Sequence, residues 1–229
     1  MLSSGQTTMT TIQYQGRQAR RSGSEQRRVA ILEAALRIVV QEGIRNVRHR
    51  AVAKEAEVPL SATTYYFKDI SDLICDAFTL FAENAVENVI EPFKRQIFAL
   101  LDSVEAGLPD EAAARDKIIN TLADMVTAFL IAEVRDNRDH LIAEQAFLQE
   151  ATLDARLEQL AGHYLEQQKQ VILEACRKLG SMNAELDSEF VMANIFAIER
   201  QLLLLKEPSV DYIRPRVLHA IRLISGTRA

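Results

Sequence analysis

Tryptophan is absent from this 229-residue chain, cysteine occurs twice, and glycine and proline together number only 13. So few chain-breaking residues exclude a collagen-like or low-complexity polymer and leave a packed, helical chain. Cys75 and Cys176 stand alone, without paired metal spacing, and fit packing thiols in a reducing compartment. His49, His140, His163 and His219 have no paired spacing either, so no metal site is expected. No apolar run approaches the ~18 residues of a membrane span. The N-terminus lacks the apolar core of a secretion signal, which implies a cytoplasmic location. A glycine-rich phosphate loop, a nucleophile elbow, a His-Glu-x-x-His motif and a plausible triad are all missing. The chain therefore reads as a non-enzyme without a cofactor. Strand-like alternation and internal repeats are missing too.

What is present is an uneven distribution of charge. Residues 1–70 hold 11 Lys and Arg against 6 Asp and Glu, whereas residues 71–229 hold 16 against 26. A basic head on an acidic body suits a chain whose one end meets a polyanion, either nucleic acid or a membrane surface. Residues 1–23 read as a flexible basic arm. Arg17, Arg20, Arg21, Arg27 and Arg28 either solubilise that end or track phosphates or a minor groove.

From Ser24 apolar residues recur at helical spacing through Ile31, Leu32, Ala35, Ile38 and Val39 until Gly43 stops the run. A short helix fits 48–57, Val58-Pro59 makes a turn, and a third short helix fits 60–67. Further helices are expected from Ser71 to a break near Pro92, then over 93–104, 110–134 and 139–150. Two apolar stripes, at 157–179 and 188–206, and a final helix at 210–225 complete the chain. The fold class is all-α: a three-helix unit at 24–70 and a larger helical bundle at 71–229.

Three short helices with a tight turn between the second and third suggest a helix-turn-helix, whose third helix enters a major groove. Small hydroxyl residues let such a helix approach base edges, and threonine can bond a base or touch a thymine methyl. The sequence "ILEAALRIVVQEG", followed by "VAKEAEV" and "PLSATTYYFKDISDLI", resembles the DNA-binding domain of the tetracycline-repressor (TetR) family. The likeness runs from Arg27 to Leu73, about a fifth of the chain, and Tyr-Tyr-Phe-Lys-Asp is its most specific element. It implies DNA contacts at Arg48, Arg50, Ser61, Thr63, Thr64, Tyr65, Tyr66 and Lys68; Phe67 is expected to close the small core. Glu57 departs from the family's usual turn glycine, Ser61 from a common glycine, and Ile70 from a frequent lysine.

The resemblance also implies a homodimer on a palindromic duplex, paired through the helices at 157–179 and 188–206. Tyr164, Ile172, Phe190 and Leu202 are the candidate interface residues. In the body, Ile118–Ile131 is apolar on more faces than one packing interface needs, with Lys117 and Arg135 only at its ends. A mostly apolar small-molecule effector is expected there, with Met125, Phe129, Glu144 and Phe147 as candidate contacts. The chain is thus expected to be a transcriptional regulator, a repressor released by its effector. The alternative is a ligand-independent architectural protein of the same fold.

Overall fold

The computed structural model describes residues 14–17, 22–104, 108–205 and 209–226. Among them the chain forms ten α-helices and no strand. The first four are α1 (Ser22–Glu42), α2 (His49–Glu55), α3 (Leu60–Tyr66) and α4 (Ile70–Ala85). A widened π turn, Val86–Ile90, leads directly into α5 (Glu91–Asp102). The body continues with α6 (Ala112–Asp136), α7 (Arg138–Ala151), α8 (Ala155–Lys178), α9 (Ala184–Leu204) and α10 (Val210–Ile224).

Most boundaries have a local cause. Gly43 follows α1 at φ 86°, a left-handed conformation that only glycine adopts without strain. Asp69 caps α4 by accepting the Asp72 amide at 2.8 Å. Asp154 caps α8 through the amides of Arg156 and Leu157, and its other oxygen accepts the Ser71 hydroxyl at 3.1 Å. Glu57, in the turn between α2 and α3, has φ 54°. The turn keeps the geometry that favours glycine, and the glutamate bears the resulting strain, of order 1 kcal/mol. The break expected near Pro92 does not occur. Proline has no N–H to donate, but at the second position of α5 that donor is dispensable, and the π turn carries the helical path through.

Two apolar clusters fill the interior. The first joins α1–α4 to α7 and the start of α8, through Ile31, Leu32, Phe67, Phe78, Phe147 and Tyr164. The second lies among α5, α6, α10 and the far parts of α8 and α9, through Ile119, Leu130, Cys176, Leu202 and Ile213. The short helices therefore have no private core. Phe78 of α4 sits 5.1 Å from Phe147 and 5.8 Å from Tyr164, ring centre to ring centre. At the same end, Arg156 pairs with Asp72 at 3.1 Å and holds α8 to the start of α4.

Tyr164 and Leu202, expected at a dimer interface, are buried inside the single chain. Their stripes face neighbouring helices of the same body, so both positions are corrected to core. Ile172 is half-buried, and only Phe190 of the four is exposed.

Because Phe147 lies on α7 yet packs under α4, its loss should weaken the helix-turn-helix as well as the body. Phe147→Ala is expected to cost ~3–5 kcal/mol in urea unfolding. Helix loss and the burial of Tyr66 should report one shared, shifted transition. A separate unshifted transition for residues 22–69 would contradict the common core.

Candidate functional site

On α3 the exposed residues are Leu60, Ser61, Thr64 and Tyr65, and Lys68 follows just beyond the helix. Tyr65 is 53% exposed, whereas Thr63 is wholly buried and its hydroxyl donates to the Leu60 carbonyl at 2.8 Å. Thr63 is thus a packing residue, a correction to its expected place at the base edges. Tyr66 is also buried. Its hydroxyl lies 2.8 Å from Ser24 Oγ and donates to the Ser24 carbonyl at 3.0 Å, so it fastens α3 to α1 and cannot reach a phosphate. Phe67 is buried as expected. Arg48, at the N-cap of α2, and Arg50 are exposed.

Residues 1–13 and 18–21 of the expected arm lie outside the described residues. Residues 14–17 are not a free tail. The Gln15 and Gly16 amides donate to Asp76 of α4 at 2.5 and 2.9 Å. Arg28 of α1, itself buried, reaches the same carboxylate at 3.3 Å and Glu25 at 2.8 Å. Burial pushes the Asp76 carboxyl up, and the two amides and Arg28 oppose that shift. The Arg28 guanidinium lies 4.2 Å from the centre of the Tyr14 ring, and the Tyr14 hydroxyl donates to Glu83. Arg17 donates its amide to the Tyr66 carbonyl at 2.9 Å and lays its guanidinium 4.4 Å from the centre of the Tyr65 ring. Sequence pattern missed this socket. Its one signal was Asp76 itself, an acid within the apolar run "LICDAFTLF".

The body contains a cavity of about 150 Å3. Its walls come from five helices, with Phe93 and Ile97 of α5, Phe129 of α6, Ile172 of α8, Ile198 of α9 and Ile221 of α10 among the lining residues. The polar side chains on its wall are Lys94 and Asn194. Lys94 Nζ lies 3.3 Å from Glu91. Of the expected effector contacts, Phe129 lines the cavity and is stacked on Phe93, ring centres 3.9 Å apart. Met125 packs against the surrounding cluster without lining the cavity. Glu144 and Phe147 belong elsewhere: Phe147 fills the cluster beneath α4, and Glu144 is buried under Tyr164. Cys176 also lines the cavity, but burial pushes its thiol up to about 11, as it does for Cys75, and neither is a ready nucleophile.

Among the described residues Glu144 is one of three buried glutamates, with Glu133 on α6 and Glu199 on α9. Tyr164 donates to Glu144 at 2.7 Å, Gln168 donates to the same carboxylate at 3.3 Å, and Asn137 donates to Glu133 at 2.6 Å. Burial raises all three carboxyls. For Glu199, whose shift is large, the charges of Glu144 and Glu133 push the same way. His140 stacks on Phe81 with ring centres 4.5 Å apart, and burial pushes it down to about 4. Among the described residues no cluster of His, Cys, Asp and Glu has the arrangement to hold a metal ion. No described helix is long and apolar enough to cross a membrane.

No known family profile matches the chain, and no curated protein matches it. Solved structures do match. A TetR-family member from Streptomyces coelicolor A3 is 23% identical, covering 85% of this chain and 97% of its own, with a TM-score of 0.60. A Saccharomonospora viridis protein, assigned as a transcriptional regulator and solved with choline, is 20% identical over 86% and 96%, with a TM-score of 0.62. The multidrug-binding protein EbrR with ethidium is 24% identical over 85% and 97%, with a TM-score of 0.59. The chain has the all-α fold of TetR-family transcriptional regulators.

The raised carboxyls give stability a definite pH dependence. Their contribution is full below the ordinary glutamate value of 4.5 and is lost as pH rises through the higher folded values. His140 acts oppositely: its contribution is present above 6.5 and withdraws as pH falls toward about 4. Glu199→Gln, a neutral mimic of the protonated acid, should match the parent in urea unfolding near pH 4. It should exceed the parent by a margin that grows as pH rises. A difference independent of pH would rule out a raised Glu199.

Proposed function

We propose that the protein is a DNA-binding transcriptional regulator that acts as a homodimer on a palindromic duplex and responds to a small apolar effector. Residues 24–70 would be the DNA-binding unit and residues 71–229 the effector-binding and dimerising body. The observation that carries the proposal is the outward face of α3. Ser61, Thr64 and Tyr65 stand there beside Lys68, with Arg48 and Arg50 exposed on the neighbouring helix. Small hydroxyl residues at the centre of a basic rim suit base edges flanked by phosphates. Thr63 and Tyr66 position that face from behind.

Support for pairing comes from α9. Leu186, Phe190, Ala193, Ala197 and Leu204 are exposed at three-, four- and seven-residue spacing. Such a stripe on a lone chain is an uncovered apolar patch, and a second copy would cover it in a two-fold contact. Phe190 stays in this interface, and the exposed neighbours replace Tyr164 and Leu202. Two copies would then present two copies of α3 to a duplex, as a palindrome requires.

The effector would occupy the apolar cavity and release the DNA by favouring a dimer whose recognition helices no longer match successive grooves. Its wall offers Lys94 and Asn194 and no carboxylate. A neutral or singly anionic apolar molecule is therefore favoured over cations such as those seen in similar structures.

Selection from random duplexes should return a two-fold symmetric motif. Thr64→Ala should relax the preference at particular base pairs by ~1–3 kcal/mol each, and Thr63→Ala should leave it unchanged. Recovery of no motif would remove the DNA-binding role; relaxed preference in Thr63→Ala would mean α3 lies differently in the groove. For the cavity, a thermal-shift panel of apolar monocarboxylic acids and quaternary ammonium dyes is the direct measurement. Members of the acid set should stabilise the protein, and Ala175→Phe, which fills the cavity, should abolish that shift. Stabilisation by the dyes alone would refute the assigned ligand class.

A further inference from the structure

We propose that residues 14–17 are a fixed part of the DNA-contacting surface, held in a socket on α1 and α4 so that Arg17 lies against Tyr65 as a phosphate contact. Its premise is the DNA-binding role proposed above. Four observations support the assignment, and each concerns a different part of the segment.

The socket is built from groups that make little sense without an occupant. Asp76 is fully buried on α4, and a buried carboxylate is costly unless its oxygens are bonded. Two of its donors are main-chain amides of the segment, those of Gln15 and Gly16. Arg28 supplies a third and also carries the Tyr14 ring. Removing the segment would leave a buried acid with its chief remaining donor at 3.3 Å.

The fit is close enough to demand a glycine. A Cβ placed on Gly16 would lie 2.6 Å from the Phe67 ring and 2.8 Å from an Asp76 oxygen. Both neighbours are buried and neither can retreat. The chain then continues to the end of α3, where the Tyr66 carbonyl would otherwise lack a helical donor and instead accepts the Arg17 amide.

That bond fixes the Arg17 backbone beside the last turn of the recognition helix. Its side chain lies over Tyr65, which is exposed on the same face as Ser61 and Thr64. Among the described residues no carboxylate pairs with Arg17. A guanidinium lying over a ring is held without using up its N–H donors, which suits a phosphate oxygen. If the segment only stitched α1 to α4, its contacts would end at Asp76. Instead it runs on and adds a cation to the surface that faces the duplex.

The experiment uses the full chain, the selected palindromic duplex and a random duplex of equal length, with affinity followed over a salt series. Arg17→Ala should weaken binding several-fold on both duplexes alike. The slope of log affinity against log salt should become shallower by about one, as for the loss of one phosphate contact. Gly16→Val should give the same loss by expelling the segment. Arg17→Ala should leave the thermal midpoint unchanged, since the side chain is exposed. Unchanged slopes in both variants, beside a loss in Lys68→Ala, would overturn the inference and leave the DNA-binding role standing. Tighter binding by Arg17→Ala would overturn it as well, and an effect of Arg17→Ala without one of Gly16→Val would overturn the socket. Parent protein that binds neither duplex would remove the DNA-binding role itself and the inference with it.

Discussion

The packing of Phe78 against Phe147 and Tyr164 is the contact on which the rest of the structure depends. A helix-turn-helix of one 21-residue helix and two of seven residues has too little apolar surface to hold itself rigid. Here it borrows from the body: α4 belongs to both, and its aromatic residues are buried under α7 and α8. Aromatic side chains bury large areas and prefer definite relative geometries, so the joint is both strong and oriented. The outward face of α3 is therefore set by contacts made some eighty residues later in the chain. The Ser71–Asp154 bond and the Arg156–Asp72 pair reinforce the joint at its solvent edge, where exposed ion pairs contribute little energy but define direction.

Helix positions were largely legible in the sequence because periodicity and stops are local properties. Val39 followed by Gly43 is sufficient to end α1, whatever packs on it. Facing was legible only in part. The apolar spacing of α8 and α9 shows that Tyr164 and Leu202 turn inward, but the interior of one chain and the interface of two chains require the same residues. The same ambiguity misplaced Phe147 and Glu144, which lie on an apolar helix that serves the cluster beneath α4 and not the cavity. On α3, Thr63 and Thr64 are chemically identical, and a helical turn of 100° separates core from solvent. Nothing in composition distinguishes them; only the position of α1 behind the helix does. The role of Asp76 was hidden for a different reason, since two of its three partners are backbone amides that no residue pattern encodes.

The interior also separates polar from apolar work. The three buried glutamates sit on α6, α7 and α9, with Glu144 held by Tyr164 and Gln168 and Glu133 by Asn137, while the cavity draws its walls from other residues of α6 and α9, Ile198 beside Glu199 among them, and from α5, α8 and α10. Burial of these three glutamates raises their proton affinity, and unlike Asp76 with Arg28 they have no lysine or arginine partner among the described residues. The cavity needs no such device, because nearly all its lining is aliphatic or aromatic and contributes by excluding water.

The uninterrupted path from α4 through the π turn into α5 has a mechanical consequence. Ile70 to Asp102 is one helical run with a contour of up to about 50 Å at the usual rise per residue. Phe93 and Ile97 at one end form cavity wall, and Asp76 near the other forms the socket for residues 14–17. A rod held at both ends transmits torque as well as displacement. An axial roll that moved Phe93 off Phe129 would also turn the Asp76 carboxylate away from the Gln15 and Gly16 amides.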